Sequence, residues 1–169
     1  MSAELQPDAQ LPDAELARRA RGGETDALEV LLRRYQDPAY GLCLRWLGDT
    51  RHAGDAVKDA LVSFSEQLRR STTPPAVLVY QSAIAECEER AKARKIEKAG
   101  LDEGDETRLR AALSELDINE LSVLLLRDLV GLDLDQIAEV LALSRGSARS
   151  RLQRARLKIG RLLETRIDV

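Results

Sequence analysis

The stretch LSRGSARSRLQRAR, residues 143–156, holds five arginines in fourteen positions. Side chains of that type at that density suit one chemistry, the binding of a polyanion through point charge and forked guanidinium hydrogen bonds. Periodicity shows whether the charges share a side. At 3.6 residues per turn, Ala148, Leu152, Ala155, Ile159, Leu162 and Leu163 line one side of a helix. Ser147, Ser150, Arg151, Arg154, Lys158 and Arg161 fall roughly opposite, and Arg149 and Arg156 run along the edge of the apolar stripe. Ser144 stands where an N-cap belongs, and Gly146 costs least in a first turn. From 144 to 166 eight Lys or Arg face the single acid Glu164, a local charge of +7 in a chain of net charge −3. Such a one-sign face is either a solvated surface or a nucleic-acid contact. On the second reading Arg145, Ser147, Arg149, Ser150, Arg151, Arg154 and Lys158 are the candidate DNA-binding residues.

The elements that must position this helix lie just upstream, in DLDQIAEVLALS (133–144). Asp133 and Gln136 have the spacing of a capping box, in which each side chain reaches the other's backbone N–H. Ile137, Val140 and Leu141 supply a buried side, and Ala138 is small enough for a second helix to cross closely. Ala142-Leu143-Ser144 makes a three-residue connection with a hydrophobic plug. A short helix, a tight turn and a basic second helix predict a helix-turn-helix, with an ordinary helical hairpin as the alternative.

The rest of the chain reads as all-helical. Of its 169 residues 44% are apolar and 33% charged but only 3% aromatic, and β-branched runs with period-2 alternation are missing. No apolar run approaches the length of about 20 residues that spans a bilayer, so no membrane insertion is expected. The acidic N-terminus MSAELQPDAQLPDAE lacks the core of a signal peptide, which predicts a cytoplasmic protein. Cys43 and Cys87 each sit in an apolar stripe and read as small buried hydrophobes; closely spaced Cys/His pairs for zinc are missing. His52 reads as a surface residue in a polar turn. With no phosphate loop and no nucleophile elbow, neither an enzyme nor a cofactor or metal is expected.

Residues 1–12 read as a flexible tail punctuated by Pro7 and Pro12. A first helical block spans 13–98. It opens on a helix with Leu16 and Ala20; a second, capped by Thr25 or Asp26, buries Leu28, Leu31, Leu32 and Tyr35 and kinks at Pro38 before stopping at Gly48. A helix from Asp55 to Arg70, a loop at 71–75 and a helix over 77–95, with Val77, Tyr80, Ile84, Cys87 and Ala91 in register, complete the block. The linker at 99–108 contains GLDEGDE, with four acids and no base. A second block, 109–169, carries the apolar helix NELSVLLLRDLVG and the helix-turn-helix. The expected architecture is two small helical domains joined by an acidic flexible linker.

At this point the sequence resembles a family, the bacterial RNA polymerase sigma factors of the sigma-70 type, in their extracytoplasmic-function group. Leu116 with Val123 to Arg127, Gly131-Leu132 with Ile137-Ala138, and Gly146 to Leu152 match the family's C-terminal DNA-reading domain. Asp117 stands where Pro is usual and Ala142 where a turn Gly is common. ALEVLLRRYQDPAYGLCLRWLGDTRHAGDAVKDALVSF resembles the family's polymerase-binding domain, with Lys58 in place of a common Gln and Ser65 in place of a frequent Trp.

The resemblance implies that Asp55, Lys58 and Asp59 meet core RNA polymerase and that the helix-turn-helix reads the −35 element of double-stranded promoter DNA. It also implies that the acidic linker runs through the enzyme's cationic RNA path. The helix at 77–95 stands where the family captures the −10 element, with Tyr80, Arg90, Lys92 and Arg94 as candidate contacts. That helix is divergent. Glu86, Glu88 and Glu89 occupy it, and it has no Trp or Phe, although single-strand capture needs stacking rings and cations. A sigma-like regulator that binds polymerase or an anti-sigma factor without melting promoters is therefore the alternative. A conventional two-domain repressor or activator is a third reading.

Overall fold

Glycine, aspartate and proline set the helix boundaries of the N-terminal block. The computed structural model describes residues 8–93 and 111–164, and the described residues form helices and turns without a strand. Helix α1 (Asp13–Arg21) ends at Gly22-Gly23. Helix α2 (Thr25–Leu47) ends on Gly48, whose φ of 66° lies in the left-handed region where glycine carries no Cβ penalty. Asp49 then caps α3 (Thr50–Leu68), accepting the His52 N–H at 2.8 Å. Pro75 opens α4 (Pro75–Ala93), because a first-turn N–H has no intrahelical partner to lose.

Several boundaries differ from the sequence expectation. Helix α3 starts at Thr50 rather than Asp55, because the Asp49 cap recruits the polar stretch that reads as a turn. His52 has a partner there, its Nδ1 2.8 Å from Asp49 Oδ1. The N-cap of α2 is Glu24, with no side-chain cap bond, rather than Thr25 or Asp26. The end of the expected tail is folded: Asp8–Gln10 forms a 3-10 turn, and Asp8 accepts Arg19 at 2.6 Å. The acidic stretch at 100–106 lies outside the described residues.

Small residues let these helices approach closely. Ala53, Ala56 and Ala60 of α3 are fully buried where it packs against α2 and α4. Phe64 fills the centre, its ring centroid 6.2 Å from that of Tyr35. Cys43 and Cys87 are free and fully buried in this core. The Cys43 sulfur and burial together push the Cys87 thiol well above its usual range.

In the second block Asp117 caps α5 (Ile118–Leu124), and Glu120 returns the bond to the Asp117 backbone N–H. A full capping box thus stands where the resembled family usually has proline. A π turn, Leu125–Leu129, follows α5. Helix α6 (Leu134–Val140) carries the expected Asp133–Gln136 capping box, and α7 (Arg145–Glu164) begins after Ser144, whose Oγ accepts the Ser147 N–H at 3.1 Å. The turn between them is a Schellman motif. Leu143 N–H donates to Ala138 O at 2.8 Å, Ala142 N–H to Glu139 O at 3.3 Å, and Ala142 sits at φ 51°.

A left-handed Ala is strained by about 1–2 kcal/mol, whereas glycine gives back about 0.4–1 kcal/mol through the unfolded chain. Ala142→Gly should therefore raise stability by about 0.5–1 kcal/mol in urea titrations. A loss of stability would contradict this reading of the turn.

The two blocks touch. Helix α4 packs on α6 and α2 packs on the π turn, with Gln81 Nε2 donating to the Glu139 carbonyl at 3.2 Å. One continuous apolar cluster includes residues of both blocks. Among the described residues, no helix is long and apolar enough to cross a membrane.

Candidate nucleic-acid interface

Helix α7 docks through Ala148, Leu152 and Ala155, all buried, and Ile159 is partly buried beside them. The first three turns of the predicted apolar stripe are thus buried, Leu162 further along is half-buried, the Leu163 side chain lies outside the described residues, and the cations lie on the other sides of the helix. Arg145 and Arg154 expose 68% and 61% of their side chains, which leaves them available to a partner. Arg149 and Ser150 are exposed, while Ser147 and Arg151 are half-buried.

Most of these cations already have intrachain partners, which the spacing of α7 alone could not show. Arg145 lies 3.3 Å from Asp135, and Arg151 donates to Asn119 Oδ1 at 2.7 Å. Arg156 grips both oxygens of Asp128, and the hydrogen bond to that carboxylate raises the Arg156 pKa. Lys158 Nζ is 2.6 Å from Glu120 Oε2, and Arg154 Nε is 3.7 Å from Glu120 Oε1. Among the described residues Arg149 has no such acceptor. Asn119, Glu120, Asp128 and Asp135 are thus parts of the site that sequence reasoning did not single out. The only signal for Glu120 was its place in the D-x-x-E capping spacing.

The polymerase candidates share the outer face of α3. Asp55, Lys58 and Asp59 are all exposed. Asp59 is also tied down, 2.5 Å from Arg90 of α4, which in turn pairs with Glu86.

The −10 candidates are not gathered on one open face. Tyr80 is 2% exposed, and its ring meets Tyr35 edge-on with centroids 6.0 Å apart. Burial pushes its phenol up to about 12. Its place in the apolar stripe of α4 governs, so in this conformation it has no free face for a base. Only 19% of the Arg90 side chain is exposed; burial opposes its charge, and the Glu86 and Asp59 carboxylates outweigh that and raise its pKa. Lys92 pairs with Glu89 at 2.8 Å. Arg94 lies outside the described residues.

Known proteins share both the sequence of the C-terminal block and the whole fold. Residues 106–159 match the model of sigma-70, region 4. The chain is 26% identical to an RNA polymerase sigma-H factor of Pseudomonas aeruginosa, over 90% of its own length and 94% of the relative's. Its fold is similar to that of CnrH, solved in complex with the cytosolic domain of CnrY, with a TM-score of 0.77. That match has 22% identity and covers 90% of this chain and 97% of CnrH. The sigma factor RpoE of Bartonella quintana, solved with the anti-sigma factor NepR, aligns with a TM-score of 0.64 and 18% identity. It covers 83% of this chain and 96% of RpoE. Residues 106–159 thus carry a sigma-70 region 4 sequence, and the chain as a whole is similar to an RNA polymerase sigma factor over 90% of its length.

Proposed function

We propose that the protein binds core RNA polymerase through α3 and directs promoter-specific initiation, with α7 reading the −35 element in duplex DNA. The observation that carries this reading is the helix-turn-helix itself, a Schellman turn leading into a helix that buries one apolar stripe and turns its cations outward. Arg149, Ser147 and Ser150 lie in the first turns of α7, where a recognition helix meets base edges. Arg151 and Arg154 lie further along, where phosphate contacts set register. No catalytic step is assigned to any residue. The two structural neighbours were solved bound to the cytosolic domain of CnrY and to the anti-sigma factor NepR. That supports an anti-sigma factor as a further partner of this chain.

Polymerase docking is tested on Asp55 alone, because Asp59 also holds Arg90. Asp55→Arg keeps the helix and should weaken core polymerase binding at least about tenfold, as reversal of one interface charge commonly does. Co-purification of the full chain with core enzyme measures it. Unchanged binding would overturn α3 as the docking face.

One observation favours a second reading, a sigma-like regulator that binds polymerase but does not melt promoters. Tyr80 is buried, and Arg90 and Lys92 are each paired with acids. Stacking contributes about 1–3 kcal/mol per base in single-strand binders, and α4 offers no exposed ring for it. Changing Glu86 to Asn and Glu89 to Arg removes the acid paired with Lys92 and leaves Arg90 held by Asp59 alone. This double variant should increase open-complex formation, read as permanganate reactivity of unpaired thymines on an easily melted promoter. If neither version opens DNA while core binding is intact, the second reading replaces the first.

A further inference from the structure

Glu120 is the one buried acid among the described residues, 2% exposed. An ionised carboxylate held away from water needs a close counter-charge. Two cations of α7 face it, and they do so unequally. Lys158 places its ammonium 2.6 Å from Oε2, a charge-assisted hydrogen bond. Arg154 approaches through Nε at 3.7 Å, too far for a hydrogen bond, with 61% of its side chain still exposed.

We propose that Glu120 is a positioning residue that divides the two cations: Lys158 serves as its counter-ion rather than as a DNA contact, while Arg154 is held with its guanidinium fork free for a phosphate. The assignment rests on the reading of α7 as a duplex-DNA-binding helix. It gives neighbouring cations of one helix different roles, which charge and spacing alone would treat as equivalent.

The test is the salt dependence of binding by the full chain to a fluorescently labelled mixed-sequence DNA duplex. Each phosphate contact contributes about 0.9 to the slope of log affinity against log salt concentration. Arg154→Ala should flatten the slope by about 0.9, and Lys158→Ala should leave it unchanged. Glu120→Gln keeps the size of the side chain and its capping-box role. It should steepen the slope by up to about 0.9, because Lys158 is released toward DNA. The double variant Glu120→Gln, Lys158→Ala should return to the wild-type slope. A purely structural Glu120 would lower affinity on substitution without steepening the slope.

Lys158→Ala leaves a buried acid short of its partner and could unfold the domain. In that case Glu120→Gln and the double variant still decide, because only the proposed division steepens the slope above wild type in the first and returns it to, not below, the wild-type value in the second. If Lys158→Ala flattens the slope as much as Arg154→Ala does, or Glu120→Gln does not steepen it, the assignment falls while DNA binding by α7 stands. If the wild-type chain shows no salt-dependent binding, the DNA-binding reading falls and takes this assignment with it.

Discussion

Phe64→Ala should lower the stability of the protein by about 3–5 kcal/mol, the range for removing a fully buried aromatic side chain. Phe64 is the chain's only phenylalanine, has no exposed surface, and packs against Tyr35 between α2 and α3. The loss joins the transfer free energy of the ring to the cavity it leaves, because the surrounding core relaxes only partly into the gap. Denaturant titration followed by far-ultraviolet circular dichroism reads the change. A loss below about 1 kcal/mol would mean that the core relaxes around the hole and that the helices are less tightly packed than described. The same variant should lose polymerase binding in proportion to its unfolded fraction.

The second large effect is expected at Arg149. It is exposed in the second turn of α7, and among the described residues no acid neutralises it, unlike Arg145, Arg154, Arg156 and Lys158. A bidentate arginine on a base edge is worth about 1–3 kcal/mol of discrimination. Arg149→Ala should therefore cost binding to the preferred −35 sequence by about that amount, with far less effect on unrelated duplexes. Arg149→Glu adds repulsion from phosphate and should weaken binding to every duplex. Competition binding with matched and mismatched duplexes separates the two effects. Equal weakening on all sequences by Arg149→Ala would make this residue a phosphate contact instead.

Local rules made much of the second block legible in the sequence. The Asp133–Gln136 box, the Ser144 cap and the stripe Ala148, Leu152, Ala155 are interactions within one or two turns, and each stands where spacing placed it. The start of α3 was missed for an equally local reason. Asp49 looks like the end of a Leu-Gly-Asp stop, yet the same carboxylate begins the next helix five residues before the apolar register is visible.

Tertiary partners could not be read. Tyr80 carries an aromatic ring in the segment where the resemblance asks for one, but it also lies in the apolar stripe of α4, and Tyr35 from another helix holds it inside. The acids that meet α7 come from α5, the π turn and α6, so their pairing depends on how those elements cross. The contact between α4 and α6 is likewise non-local, and so is Arg90 standing between Asp59 and Glu86.

That last arrangement ties the proposed polymerase face to the divergent helix. Arg90 reaches across from α4 to Asp59 on α3, so the acid expected at the polymerase is shared with the cation expected at the −10 element. A charge at either position therefore changes the setting of the other. Promoter opening and core binding are best scored on the same variants.

Transcription reconstituted from purified core RNA polymerase and the full chain, on a library of genomic DNA fragments with the transcript starts sequenced, tests sigma activity most directly. A sigma factor that reads −35 DNA through α7 predicts starts clustered at a fixed distance downstream of one shared sequence, lost in Arg149→Glu and in Asp55→Arg. Starts no more frequent or ordered than those of core enzyme alone, from a chain that still co-purifies with it, would contradict promoter-specific initiation.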